Sequence, residues 1–243
     1  MVIGVGLVVM LIALASLSTN DNTNTSNTNT NANVRNDNTN ANVSVNTNTS
    51  NSNANLNGAS PRTLSDDFSK QKWGVGTSPY GRIWYEDGEY HMVSKQRTFV
   101  VMYAPSDDYY TENATVKVNA RSVDGSVPSS GFGLMVHCAQ SKGKQLEDYG
   151  LLIYPSVEPE YEIIKHKEGV QSSVVNRTKS NSIHSGNASN LLEVRIRGSE
   201  LSFYANGQYL TRITDSENYR RGRTGFYTSD IHEVAFDDLE IER

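Results

Sequence analysis

The chain has little of what would point directly to a chemistry. Cys138 is the single cysteine among 243 residues, so no internal disulfide can form and thiol content says nothing about compartment. Basic residues are short: the net charge is -5, which excludes the positively charged face that nucleic-acid phosphates require. Arg220, Arg221 and Arg223 form the one tight basic cluster and read as a solvated turn. No helical periodicity is sustained beyond two turns. No G-x-S-x-G elbow occurs, which removes the α/β-hydrolase route, and no Gly-rich phosphate loop is present. His91, His137, His166, His184 and His232 lie far apart, with no H-x-H or H-x-x-x-H spacing to hold a metal. The E-x-D-x-x-E strand motif that would set two glycosidase carboxylates about 5–5.5 Å apart is missing as well.

What is present falls into three parts. Residues 1–17, MVIGVGLVVMLIALASL, are apolar and uncharged, with Ala13-Leu14-Ala15 fitting a signal-peptidase site. A cleaved signal peptide and a retained membrane anchor both fit this segment, and either sends the remainder out of the cytoplasm. Residues 18–60 are asparagine at nearly every second position, with Thr, Ser, Ala and Val between. Such a tract cannot bury enough apolar area to offset its conformational entropy, so a disordered tether is expected. Residues 61–243 are long enough for one domain with its own core.

That third part reads as strands. In Leu191–Thr214, Leu192, Val194 and Ile196 alternate with Glu193, Arg195 and Arg197, the period of a half-buried strand. Asn206-Gly207 follows the next run, the pair best able to supply two positive φ angles in a two-residue hairpin turn. Asp87-Gly88 and Glu168-Gly169 repeat the signal. About a dozen short strands, among them Thr98–Ala104, Gly131–Ala139, Tyr149–Tyr154, Glu160–His166, Val170–Val175 and Val234–Glu242, predict an all-β, two-sheet antiparallel sandwich. Asn176–Asn190 is expected to be a long polar loop.

Several pieces together resemble one family: DDF near the domain start, GFGLMVH, DYGLLIY, NLLEVRIRGSELSFYANGQYL, RRGRTGFYTS and the closing VAFDDLEI. They are similar to the concanavalin A-like (laminin-G/lectin-type) jelly rolls of bacterial exported proteins. Among these the chain most resembles the 3-keto-disaccharide hydrolase, or family 16 glycoside hydrolase-like, group. The resemblance implies a jelly roll over residues 64–243 and, through fold alone, a connection with glycans.

Candidate site residues follow from chemistry. Sugar rings stack their C–H faces on aromatic side chains, while acids, amides and Arg bond the hydroxyls. Trp84, Tyr109, Tyr110, Tyr149, Tyr154 and Tyr161 are the aromatic candidates, with His137, Glu160, Glu162 and Arg82 as polar partners. Tyr109 and Tyr110, beside two aspartates, and Tyr154, before Pro155, are the ones expected at the surface; Trp73 and Phe203 are expected in the core. Glu158, Glu160 and Glu162 are expected along one face of a strand. Asp66 and Asp67 should approach Asp237 and Asp238 if the first and last strands pair. These acids fit backbone-bonding residues at strand ends, or a weak structural calcium site. No other cofactor is implied. The reading is therefore an exported, tethered carbohydrate-binding module with oligo- or polysaccharide as partner. The alternatives are a hydrolase of 3-keto-disaccharides or related glycans and an adhesion or protein-binding domain. Membrane contact would come only through an uncleaved N-terminal segment.

Overall fold

The computed structural model describes residues 62–243. The apolar segment 1–17 and the Asn-rich tract 18–60 lie outside the described residues, and no helix among those described is long and apolar enough to cross a membrane. Fifteen strands run in chain order: β1 (Thr63–Asp66), β2 (Gly76–Thr77), β3 (Gly81–Glu86), β4 (Glu89–Ser94), β5 (Phe99–Tyr103), β6 (Thr115–Ser122), β7 (Phe132–Gln140), β8 (Leu146–Tyr154), β9 (Glu160–Lys167), β10 (Val170–Lys179), β11 (Asn190–Arg197), β12 (Glu200–Ala205), β13 (Gln208–Thr214), β14 (Arg223–Ser229) and β15 (Val234–Glu242). Among the described residues the one helical turn is a 3-10 turn at Asp107–Tyr109.

The strands form two antiparallel sheets. One is ordered β13-β12-β11-β6-β15-β4-β3-β2 with β1 on β15; the other is β10-β9-β8-β7-β14-β5. The long-range pairings β15–β6, β14–β7 and β14–β5 carry the chain repeatedly between sheets, which is the jelly-roll arrangement. Hairpin chemistry sets the local registers. Asp87 and Gly88 (φ 52° and 84°), Glu168 and Gly169 (50° and 78°) and Asn206 and Gly207 (52° and 77°) all occupy the left-handed region that a type I′ turn requires.

Between the sheets lies one apolar core, to which β11 and β12 contribute Leu192, Val194, Ile196, Leu201 and Phe203 by alternation. Its aromatic end is stacked: Phe226 lies 4.7 Å from Trp73 and 4.3 Å from Phe236, nearly parallel to both. Trp73 and Phe203 are core residues, as expected. Cys138 is buried and unpaired, and burial pushes its thiol well above the ordinary range.

Two boundaries differ from expectation. β10 continues to Lys179, so the polar loop begins later than Asn176. Its side chains are mostly exposed and polar, leaving no alternation to mark it as a strand. Glu158 precedes β9 and pairs with Lys179, so the three-glutamate row reduces to Glu160 and Glu162.

The second sheet has an unusual outer face. Phe99, Val101, Tyr103, Met135, Cys138, Leu146, Leu152, Tyr154, Ile164 and Tyr227 form a second buried cluster there, separate from the intersheet core. Curvature explains how an outer face can be buried. β10 and β14 are four strand spacings apart, about 19 Å in a flat sheet, further than a Tyr and a Gln side chain extend together. Yet the Tyr227 hydroxyl on β14 donates to Gln171 Oε1 on β10 at 3.2 Å. The sheet therefore curls into a trough whose sides shield its own floor. Small residues permit this: a Cβ at Gly133 would sit 2.0 Å from the Leu151 carbonyl oxygen, and one at Gly150 would sit 2.4 Å from Met135 Sδ.

Candidate functional site

A groove of about 730 Å³ opens at one end of this trough. Its floor is Phe99 and Tyr227, whose rings stack at 5.3 Å and 22°. Arg97 and Thr98, from the turn before β5, form one wall. Ser129 and Ser130, before β7, form another, and Gly169–Ser173 of the β9–β10 hairpin close the third. The Ser130 amide donates to Ser229 Oγ at 2.9 Å, and the Asp230 amide donates to the Thr98 carbonyl at 3.0 Å, so two walls are tied to the end of β14. Arg97 is exposed, has φ 60°, and is the one charged side chain in the lining.

Two carboxylates on this face, Glu162 and Asp148, are already held by donors. Glu162 accepts the Tyr154 hydroxyl at 2.6 Å, takes the Ser173 hydroxyl as well, and lies 4.0 Å from Arg177 Nε. The Arg177 guanidinium sits 3.8 Å above the Tyr154 ring and also donates to the Ser129 carbonyl. Deeper in the trough, Asp148 accepts from His166 Nδ1 at 2.6 Å and from the Tyr103 hydroxyl at 2.9 Å. Burial first, and then the Asp148 charge, push the Tyr103 phenol well above its usual value, so it remains a donor. His166 Nε2 is buried with no partner. The groove thus presents an aromatic floor with hydroxyl, amide and guanidinium walls.

The sequence candidates scatter. Tyr154, Glu160 and Glu162 come together on the trough face. Tyr154, however, is only 3% exposed because Arg177 covers it, so it is not the surface aromatic expected. Tyr109 is a second correction. It is 5% exposed, its hydroxyl donates to Asp66 Oδ2 at 2.6 Å, and its ring packs edge-on against Trp73. The 3-10 turn at Asp107–Tyr109 rotates it inward, while Tyr110 stays half-buried with Arg221 5.0 Å above its ring. Tyr149 and Tyr161 are buried. His137 is fully buried at a bulge in β7 with φ 57°; its Nδ1 lies 3.3 Å from Thr111 Oγ1, and burial lowers its pKa, keeping the ring neutral. Trp84 belongs to the opposite face of the sandwich, where it stacks on His91 at 5.3 Å beneath Arg82.

β1 does pair with β15, with Asp66 opposite Leu239. The four aspartates nonetheless do not converge. Asp66 turns inward and takes hydrogen bonds from Tyr109, Trp73, Lys72 and the Phe68 amide. Asp238 accepts from Asn119 at 3.0 Å, and Asp67 accepts from Ser69. Asp237 accepts the Asp238 amide at 2.7 Å, so each of the weak calcium candidates has a donor, although Asp66, Asp67 and Asp238 border one cavity with Glu240. The residues that sequence reasoning missed are Arg97, Phe99, Gln171, Ser173, Arg177 and Tyr227. Their one legible signal is the unbroken apolar run Phe99–Tyr103, which marks a strand buried on both faces.

No protein-family model and no curated protein sequence matches this chain. Solved structures do share its fold. The carbohydrate-binding module CBM66 from Bacillus subtilis superposes with a TM-score of 0.56 at 13% identity, covering 71% of this chain and 96% of that one. An endo-β-galactosidase from Clostridium perfringens that releases GlcNAcα1-4Gal gives 0.52 at 16% identity, covering 76% of this chain; the match spans 63% of the enzyme's length. A native glycosidic hydrolase gives 0.52 at 10% identity over 74% of this chain and 95% of that one. The chain has a two-sheet antiparallel jelly-roll sandwich fold that superposes on these structures.

Proposed function

We propose that the chain is a carbohydrate-binding module that takes a glycan in the groove above Phe99 and Tyr227, and that it works outside the cytoplasm, carried there by segment 1–17. The observation that supports this reading is the groove's composition. Walls of Ser, Thr, Gln and Arg suit a sugar's hydroxyls, above an apolar floor at which Phe99 is 7% and Tyr227 1% exposed. One free guanidinium at the rim, Arg97, favours neutral or anionic sugars over cationic ones. Binding is favoured over hydrolysis because Glu162 and Asp148 are each held by at least two donors.

The test is a glycan array with the full chain, followed by affinity electrophoresis of Arg97→Ala and Gln171→Ala. Each variant should lose affinity. The midpoint of Arg97→Ala should stay within about 2–4 °C, the shift of about 1 kcal/mol. Gln171→Ala, which strands the Tyr227 hydroxyl, should fall further, by about 1–3 kcal/mol, and still fold. Retained affinity in both variants would place the glycan elsewhere. Turnover of any array glycan would replace the module with a hydrolase.

A further inference from the structure

The opposite face of the sandwich holds a group that the groove does not use. Side-chain ligand atoms of Glu86, His91 and Glu233, from β3, β4 and the residue before β15, all lie within 4.8 Å of one another. His91 is 4% exposed. Its Nδ1 lies 2.7 Å from Glu233 Oε1, while its Nε2 is buried without a hydrogen-bond partner, 3.7 Å from Glu89 Oε2. A buried imidazole nitrogen with an unused lone pair or proton is costly unless something pairs with it.

The surroundings are arranged around that ring. Trp84 stacks on His91 and donates its indole N–H to Glu86 Oε2 at 2.8 Å, which holds the Glu86 carboxylate beside the imidazole. Glu89 is neutralised by Arg121, which donates to both of its oxygens. Glu86 and Glu233 remain without a lysine or arginine partner among the described residues, next to one imidazole. Two carboxylates and one histidine, on rigid neighbouring strands, make a borderline-soft N,O,O donor set. A hard cation such as calcium prefers oxygen alone, whereas zinc-class divalent ions accept imidazole with carboxylates.

We propose that Glu86, His91 and Glu233 form a binding site for a zinc-class divalent transition metal, clamping β3, β4 and β15 on the face opposite the groove. Metal–ligand distances of about 2.0–2.2 Å set tetrahedral donor atoms roughly 3.4 Å apart, so the exposed Glu86 closes by roughly 1 Å while Glu233, 2.7 Å from Nδ1, gives up its hydrogen bond and moves back. Coordination at Nδ1 would replace the Glu233 hydrogen bond and balance the two carboxylates, leaving Nε2 protonated toward Glu89, 3.7 Å away. The site is independent of the glycan groove, so either can fail without the other.

The test is isothermal titration of untagged full-length protein with zinc chloride, with the melting midpoint followed in parallel. One zinc per chain is expected, with a rise in midpoint from binding to the folded state alone. Glu86→Gln, an exposed change that keeps the indole bond's acceptor, should weaken zinc by about tenfold or more, and His91→Ala should abolish it. His184→Ala, far from the group, should bind as wild type. If His91→Ala does not fold, Glu86→Gln decides alone. No zinc binding by the wild type, unchanged affinity in Glu86→Gln, or equal affinity for calcium would each overturn the proposal.

Discussion

Tyr109→Phe separates scaffold from site at a position where the sequence alone suggests a ligand contact. The hydroxyl is removed from a buried carboxylate 2.6 Å away, without changing ring packing against Trp73. A hydrogen bond to a charged group is worth about 1.5–3 kcal/mol. Asp66 keeps Trp73, Lys72 and the Phe68 amide as donors, which puts the loss near the lower end, about 1.5–2 kcal/mol. For a domain of this size that lowers the melting midpoint by roughly 3–8 °C. In urea it moves the transition to lower concentration at unchanged slope, because the surface exposed on unfolding is the same. Asp66→Ala should cost more, about 3–5 kcal/mol, because it strands the Trp73 indole and the Tyr109 hydroxyl as buried donors. Glycan affinity of the Tyr109→Phe protein, measured below its transition, should equal wild type. Unchanged stability together with lost glycan binding would refute this assignment and return Tyr109 to the site.

Other outcomes follow from the same geometry. Glu217 is bonded by Lys165 and Lys167, which pull its pKa down to about 2. A carboxylate depressed by folding adds stability above its unfolded value of about 4.3, and that contribution is lost as pH falls toward 2. Glu217→Gln should therefore lower the midpoint on the neutral side of a midpoint-against-pH curve, and the two curves should converge as pH falls toward 2. In the trough, Gly133→Ala should destabilise more than Gly150→Ala, because the added carbon meets backbone at Leu151 in the first case and the flexible end of Met135 in the second. Overpacking of this kind costs about 1–3 kcal/mol, and chemical denaturation will rank the two. Cys138, buried with its thiol pushed up, should resist a thiol-specific reagent until the protein unfolds.

The scaffold was legible because short-range chemistry dictates it. Leu192, Val194 and Ile196 alternate, Asn206-Gly207 and Asp87-Gly88 turn, and each does in the fold what its own residues require. The groove was not legible because its parts meet only through curvature. Gln171 and Tyr227 are 56 residues apart, and their bond depends on four intervening strand spacings curling far enough. Tyr109 and Tyr154 looked like surface aromatics because their sequence neighbours are polar. What covers them, Asp66 with Trp73 and Arg177 with Glu162, comes from elsewhere in the chain. The cluster of His91 with Glu86 and Glu233 escaped for the same reason: no spacing in sequence anticipates a group assembled from residues 142 apart.

The central claim is that the groove over Phe99 and Tyr227 holds a glycan. The direct measurement is affinity for an array-identified glycan in wild type, in the Arg97→Ala/Gln171→Ala double variant and in Trp84→Ala on the opposite face. The account predicts lost binding in the double variant, with its fold intact, and wild-type binding in Trp84→Ala. Full binding by the double variant, or loss in Trp84→Ala alone, would contradict it.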